Sequence, residues 1–224
     1  MTDIKKNLER IKSELPDNVK LVAVSKTKPE SDIQEAYETG QRIFGENKAQ
    51  EMQGKAESLP DDIEWHMIGH LQRNKVKYIA PFVSLLHSVD SWRLLKEVNK
   101  RAKNEERVID CLLQIHIAKE ESKFGLDEDE VSEILYSEEF EKLENIRIVG
   151  LMGMATLTEN EDQIRREFKS LQDLFDKIKN DKFSMEDSFK ELSMGMSSDF
   201  KIAIEEGSTM IRIGSDIFGA RNYG

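Results

Sequence analysis

The sequence has a single cysteine, Cys111, so no disulfide can form within the chain. That suits a reducing compartment. Cys111 sits in the apolar run Val108–Ile117 and reads as a small core residue. Basic charge is also short. Lys and Arg number 33 against 44 Asp and Glu, a formal net charge of −11. With no basic excess to neutralise phosphates, nucleic acid and anionic membrane surfaces are poor general partners. An anion could be held only locally, by backbone amides or one placed arginine. No stretch approaches the ~20 apolar residues that span a bilayer. The first residues lack the apolar run of a signal peptide, so the cytoplasm is the expected location. A P-loop, a G-x-G-x-x-G after a strand and a G-x-S-x-G elbow are all missing. His66 and His70 are four apart, a spacing that binds metal on a helix. Here Gly69 falls between them and no third ligand is indicated, so no metal is expected.

What is present is regular alternation. The 224 residues are 34% charged and 38% hydrophobic, as expected of a soluble domain with charged helix exteriors. Met1–Leu15 reads as an amphipathic helix with Ile4, Leu8, Ile11 and Leu15 on one stripe. Short apolar runs then alternate with amphipathic ones. Strands are expected at Val19–Ser25, 42–44, Glu64–Ile68, Val83–Val89, Val108–Ile117, Ile146–Met152, Glu191–Met194 and Met210–Ile213. Helices are expected at Glu30–Thr39, Lys48–Ser58, Arg73–Ile79, Trp92–Asn104, Asp129–Tyr136, Asp162–Lys179 and Asp199–Glu206. Strict strand–helix alternation implies a parallel sheet, and eight units imply closure. The fold class is therefore α/β, one TIM-type (β/α)8 barrel over residues 1–224 with an extra N-terminal helix.

Chemistry in such barrels gathers at the carboxyl ends of the strands. The first strand runs into Ser25-Lys26-Thr27-Lys28-Pro29. Burial at a strand end favours the neutral amine of Lys26, which can attack a carbonyl. Taken alone, the residue reads as a strand-end lysine snorkelling to water. The seventh strand runs into Ser197-Ser198-Asp199 and the eighth into Gly214-Ser215. Barrels commonly hold a phosphate at that place, and backbone amides and serine hydroxyls are suitable donors. Singly, Ser197 or Ser198 would be a plain N-cap and Gly214 a turn. Arg212 interrupts Ile211 and Ile213. It could enter the barrel mouth and donate to a ring nitrogen or an anion, or pair with Asp110 in the core. Asn47 and His66 could hydrogen-bond a cofactor or its lysine; otherwise they are a loop cap and an interior histidine. Met152, Met154, Met194 and Met196 are expected as adaptable packing around the mouth.

A strand-end lysine facing a phosphate site suits pyridoxal 5'-phosphate (PLP), whose aldehyde joins the lysine. The sequence resembles the pyridoxal phosphate homeostasis proteins (the YggS/PROSC family) across its whole length. The residues that carry the resemblance are Leu21–Pro29, Phe44–Asn47, Trp65–Lys75, Lys123–Gly125, Gly150–Met154, Leu192–Asp199 and Arg212–Arg221. The resemblance implies PLP fold type III, a barrel similar to the N-terminal domain of alanine racemase. It implies PLP carried as an aldimine on Lys26, with Ser197, Gly214 and Ser215 at the phosphate. Arg212 would face the pyridine nitrogen and Asn47 would lie near the ring. Two positions depart from the family pattern: Ser215 where threonine is common, and Asp216 where alanine is common. The implied role is binding and supply of PLP in vitamin B6 homeostasis, without catalytic turnover. The racemases add a β-rich domain with an opposing base, and this chain ends five residues after Gly219. The expected partners are PLP and PLP-dependent apo-enzymes, with the chain a monomer. The alternatives are a small fold type III racemase or lyase, and a cofactor-free Schiff-base aldolase barrel.

Overall fold

The computed structural model describes residues 3–119 and 124–219. Met1, Lys123, Ala220 and Arg221, parts of the stretches singled out above, lie outside the described residues. The chain opens with helix α1 (Ile4–Ser13), capped by the Asp3 side chain. Its apolar stripe, Ile4, Leu8 and Ile11, is buried. Eight parallel strands follow and close in sequence order: β1 (Lys20–Val24), β2 (Ile43–Glu46), β3 (Glu64–Met67), β4 (Leu85–Val89), β5 (Ile109–Ile115), β6 (Ile146–Gly153), β7 (Glu191–Ser193) and β8 (Met210–Ile213). The barrel shuts where β1 pairs with β8, Val22 opposite Arg212. The intervening helices are α2 (Glu30–Glu38), α3 (Ala49–Ser58), α4 (Val76–Ile79), α5 (Trp92–Asn104), α6 (Glu128–Leu135), α7 (Glu161–Asp181) and α8 (Phe200–Glu205). The chain is a TIM-type barrel, as the alternation implied.

The boundaries differ from expectation where the physics is local. Arg73–Ile79 splits into a 3-10 turn at Arg73–Lys75 and the four-residue α4. The stretch after β8 folds into a short helix, α9 (Ser215–Phe218), which completes the eighth unit. Four residues are too few to show helical periodicity in a sequence.

Alternating strand residues build two cores. Leu21, Ala23, Phe44, Trp65 and Met67 face the helices. Val22, Leu85, Leu112, Val149, Met152 and Met210 fill the barrel interior. Between Cys111 and Leu112 the β5–β6 register slips by one residue, so β6 carries a bulge ahead of Gly150. Gly150 has φ +154°, and a Cβ there would meet Glu191 O at 1.7 Å. Gly150→Ala is therefore expected to cost on the order of 3 kcal/mol or more. Its urea midpoint should fall clearly below that of the wild type; an unchanged midpoint would contradict this packing.

Candidate functional site

A cavity of ≈480 Å3 opens at the carboxyl ends of β1, β2, β3, β6, β7 and β8. Six of the seven sequence-derived site residues line it: Lys26, Asn47, Ser197, Arg212, Gly214 and Ser215. Lys28 and Ser198 join them, and Val24, Ile68, Met154 and Met196 supply apolar wall. Of the four methionines expected at the mouth, Met154 and Met196 are there. Met152 lies in the inner core and Met194 in the outer one.

Lys26 leaves β1 in a tight turn. Lys28 N donates to Ser25 O at 3.0 Å, and Thr27 has φ +65°. A β-branched residue in that region is strained, by roughly 1–3 kcal/mol. The turn is held from beneath. Lys55 Nζ, on α3, donates to Ser25 O at 2.9 Å, and Thr27 N donates to Glu51 Oε1 at 2.7 Å. Both lysines reach the cavity through this turn. Lys28 Nζ donates to Phe218 O (2.8 Å), the last carbonyl of α9, and to Gly219 O (3.1 Å) of its C-cap.

Two turns converge at the phosphate-like end. Ser215 Oγ donates to Ser197 Oγ at 3.2 Å, which ties the loop after β8 to the loop after β7. Ser197 and Ser198 do not cap α8. Asp199 is the N-cap residue, and its Oδ1 accepts from Met196 N at 2.6 Å. In that turn Asp199 N and Phe200 N both donate to Met196 O, which uses neither serine amide. In the second turn Ile217 N and Phe218 N donate to Gly214 O, which leaves the leading amides of α9 without a carbonyl inside the turn. With α8 at six residues and α9 at four, these local amides and hydroxyls matter more than any helix dipole.

Arg212 is buried at 4% exposure, and its chemistry is set by a polar chain inside the barrel. Nη1 donates to Ser193 Oγ at 2.5 Å and Nη2 to Gly153 O at 3.1 Å. Ser193 Oγ meets His87 Nδ1 at 2.9 Å, and His87 Nε2 meets His66 Nδ1 at 2.9 Å. Arg212 can only donate. One assignment satisfies every link: Ser193 gives its proton to His87 Nδ1, and His87 Nε2–H donates to His66. Burial lowers Arg212 to about 10, opposed by Asp199, so the guanidinium stays charged at neutral pH. Burial, with the nearby Lys20 charge, lowers His66 to about 3. Burial, His66 and Arg212 together hold His87 well below the ordinary histidine range. Both imidazoles are neutral.

This corrects two expectations. Asp110 makes no core pair with Arg212; it forms a two-point ion pair with Arg147 at 2.7 and 2.9 Å. His66 is not at the mouth. On β3 the interior face passes through Glu64, His66 and Ile68, and Ile68 occupies the mouth layer. His66 lies one layer deeper, against a second cavity of ≈320 Å3 that Lys20, Glu64 and Arg147 also line. His70 is separate again: its Nδ1 meets Asp90 Oδ2 at 2.9 Å and its ring stacks on Phe124. The sequence reading missed Ser193 and His87. The sequence shows a histidine within the apolar strand Leu85-Leu86-His87-Ser88-Val89, but not what it faces.

The donor set around the cavity fits PLP. Asn47 Oδ1 is buried in its wall with no hydrogen-bond partner, a polar atom waiting for a ligand donor or water. Gly69 makes room for that loop, since a Cβ there would meet Asn47 Cα and O at 2.7 Å. A charged arginine, an amine and a paired-hydroxyl turn stand around the same space.

Comparison with known proteins gives the same picture from another side. The family described as alanine racemase, N-terminal domain, matches residues 1–222. The pyridoxal phosphate homeostasis protein of Aquifex aeolicus is 41% identical over 91% of this chain and 88% of its own. The structure of PipY from Synechococcus elongatus PCC7942 is 35% identical and covers 97% of this chain and 100% of its own. Its TM-score is 0.90 without PLP and 0.87 with PLP bound. An alanine racemase from Clostridium difficile, at 16% identity, shares the fold with a TM-score of 0.77, over 98% of this chain and 56% of its own. The chain belongs to the alanine racemase N-terminal domain family and, within it, to the pyridoxal phosphate homeostasis proteins.

Proposed function

We propose that this protein binds PLP in the carboxyl-end cavity, attached to Lys26 as a Schiff base, and serves PLP homeostasis as a carrier rather than a catalyst. The observation that carries the proposal is convergence. Lys26, Arg212 and the Ser197–Ser215 pair, far apart in sequence, line one cavity whose wall holds the unpartnered Asn47 Oδ1. Bound PLP supplies an aldehyde to the amine and a phosphate to the turns. Condensation forms one C=N bond and releases the aldehyde oxygen as water, with no change of oxidation state. Ser197, Ser215 and the amides around Gly214 would grip the phosphate. Arg212, charged and donor-only, would keep the pyridine nitrogen unprotonated and so weaken the ring as an electron sink. Two features support carriage over turnover. The titratable side chains in the described cavity wall are Lys26, Lys28 and Arg212, and Lys28 is held by carbonyls. Proton transfer on an amino acid needs a second placed acid or base. The relatives' name points the same way.

The test is a visible spectrum of PLP-treated protein before and after borohydride, with the modified peptide mapped. The expected result is a Schiff-base band that disappears on reduction and a label on Lys26. Steady turnover of D- or L-amino acids at saturating PLP would replace the carrier reading with an enzymatic one. The phosphate grip has its own check. The double variant Ser197→Ala, Ser215→Ala removes two hydroxyl donors to an anion, each worth about 1.5 kcal/mol. PLP affinity should fall by at least about tenfold; wild-type affinity would remove the phosphate from this end of the cavity.

A further inference from the structure

The two peptide groups that flank Lys26 are both held by one buried ion cluster. On the amino side, Ser25 O accepts from Lys55 Nζ at 2.9 Å. On the carboxyl side, Thr27 N donates to Glu51 Oε1 at 2.7 Å. Lys55 Nζ links these two contacts, since it also donates to Glu51 Oε1 at 2.8 Å. Its third proton goes to Glu46 Oε1 at 2.7 Å, which in turn accepts from Ser25 Oγ at 2.6 Å. All three ammonium protons are thus used. The Lys55 side chain is 8% exposed and that of Glu46 is fully buried.

Such a cluster is a poor choice for stability alone. Buried ion pairs often do no better than apolar side chains of the same size. Glu46 Oε2 is left buried without a partner, and burial pushes the Glu46 carboxyl up against the pull of Lys55. On α3, Lys55 takes a core-facing position beside the buried Ala49 and Met52, where an apolar residue would pack. What the cluster gains is control of the backbone at a strained place. Thr27 keeps a left-handed conformation that a threonine does not choose unaided. The clamp spans the two peptide bonds of the residue whose amine must reach the cofactor.

We infer that Lys55, with Glu51 and Glu46, is the positioning device for Lys26: it holds the Ser25–Lys28 turn in the conformation that presents the Lys26 amine to PLP. The inference rests on Lys26 being the PLP lysine. None of the three lines the cofactor cavity, so any effect on PLP must pass through the turn.

The experiment compares wild type with Lys55→Met, Glu51→Ala and Lys55→Met, Thr27→Gly. PLP is titrated by its Schiff-base band, the adduct is trapped with borohydride, and the label is divided between Lys26 and Lys28 by fragment mapping. Circular dichroism of the apo protein checks the fold. Lys55→Met should lower PLP affinity by about tenfold, the equivalent of one lost charge-assisted hydrogen bond. Part of the label should move to Lys28, because a loosened turn also lets Lys28 leave the Phe218 and Gly219 carbonyls that hold it in the wild type. Thr27→Gly should restore part of the affinity in the Lys55→Met background, since glycine adopts the turn without restraint. A merely structural role for Lys55 would move neither the label nor respond to glycine. If Lys55→Met does not fold, Glu51→Ala decides. Its side chain is 25% exposed, and its loss frees the Thr27 amide while leaving Lys55 paired with Glu46. Weaker PLP binding with some label on Lys28 supports the inference. Wild-type affinity with label on Lys26 alone, in a folded variant, overturns it. Wild-type protein with no label on Lys26 would instead overturn the PLP assignment, and this inference with it.

Discussion

Lys26→Ala is expected to abolish the Schiff-base absorbance of PLP-treated protein and the borohydride-trapped adduct, while the barrel stays folded. The argument begins with position. Lys26 stands just past the last β1 residue, half-buried, in the wall of the cavity that Arg212 and the serine turns share. Its side chain contributes no core packing of the kind that Val22 or Val24 supply, so truncation should leave the fold intact. The competing amine is Lys28, two residues on and lining the same cavity. Lys28 Nζ, however, donates to Phe218 O and Gly219 O, so it must leave two carbonyl acceptors before it can react. The expected loss is therefore complete and not a redistribution. Phosphate-directed binding should survive, because Ser197, Ser215 and Arg212 are untouched. PLP should then be retained weakly and removed by gel filtration. A surviving band of wild-type intensity would transfer the linkage to Lys28.

Most of the barrel was legible because its strands and helices obey clean periods. The α5 range, Trp92–Asn104, and the β8 range, Met210–Ile213, agree with expectation to the residue. What failed was short or bent. The helix α9 has only four residues, and the β6 bulge at Gly150 breaks alternation in one place. For the site, residues at strand ends were readable because strand ends are where the fold exposes chemistry. Depth was not. His66 reads equally as a cofactor contact or an interior histidine, and the strand alone does not show that Ile68, on the same face, takes the mouth layer above it. Ser193, His87 and Lys55 were missed for a common reason. Each gains its meaning from a partner on another element, and no spacing in a single chain announces that pairing. Arg212 could be seen as odd; what it faced could not.

That buried chain leads to the second large effect. The protein is expected to lose about 4 kcal/mol of stability between pH 7.5 and pH 5, before most carboxylates titrate. His66 is held at about 3 by burial and His87 also lies far below its ordinary value. The unfolded chain takes up a proton at each near pH 6.5, and the folded chain refuses both. Depressed bases of this kind contribute stability that is full above pH 6.5 and is lost as the pH falls toward the folded value. At pH 5 the unfolded state gains about 1.5 pH units of proton binding per histidine, or ~2 kcal/mol each. The groups that act on the pair most directly are Arg212 and Lys20, both cationic, and a hydroxyl, Ser193. The carboxylates on the cavity beside His66 include Glu191, which is paired with Lys20, and Glu64. An imidazolium would face a guanidinium across one serine. Glu46 works in the opposite sense, since burial raises its carboxyl and favours proton uptake in the folded state. Against a typical domain stability of about 5–15 kcal/mol, a loss of ~4 is large. Urea midpoints at the two pH values measure it directly. His66→Gln removes one of the two titrating groups, so whatever it does to stability at pH 7.5, it should shrink the acid-induced loss by about half. A midpoint that does not move between pH 7.5 and pH 5 would mean that the two rings are solvated or paired with a carboxylate, and the polar chain beneath Arg212 would have to be redrawn.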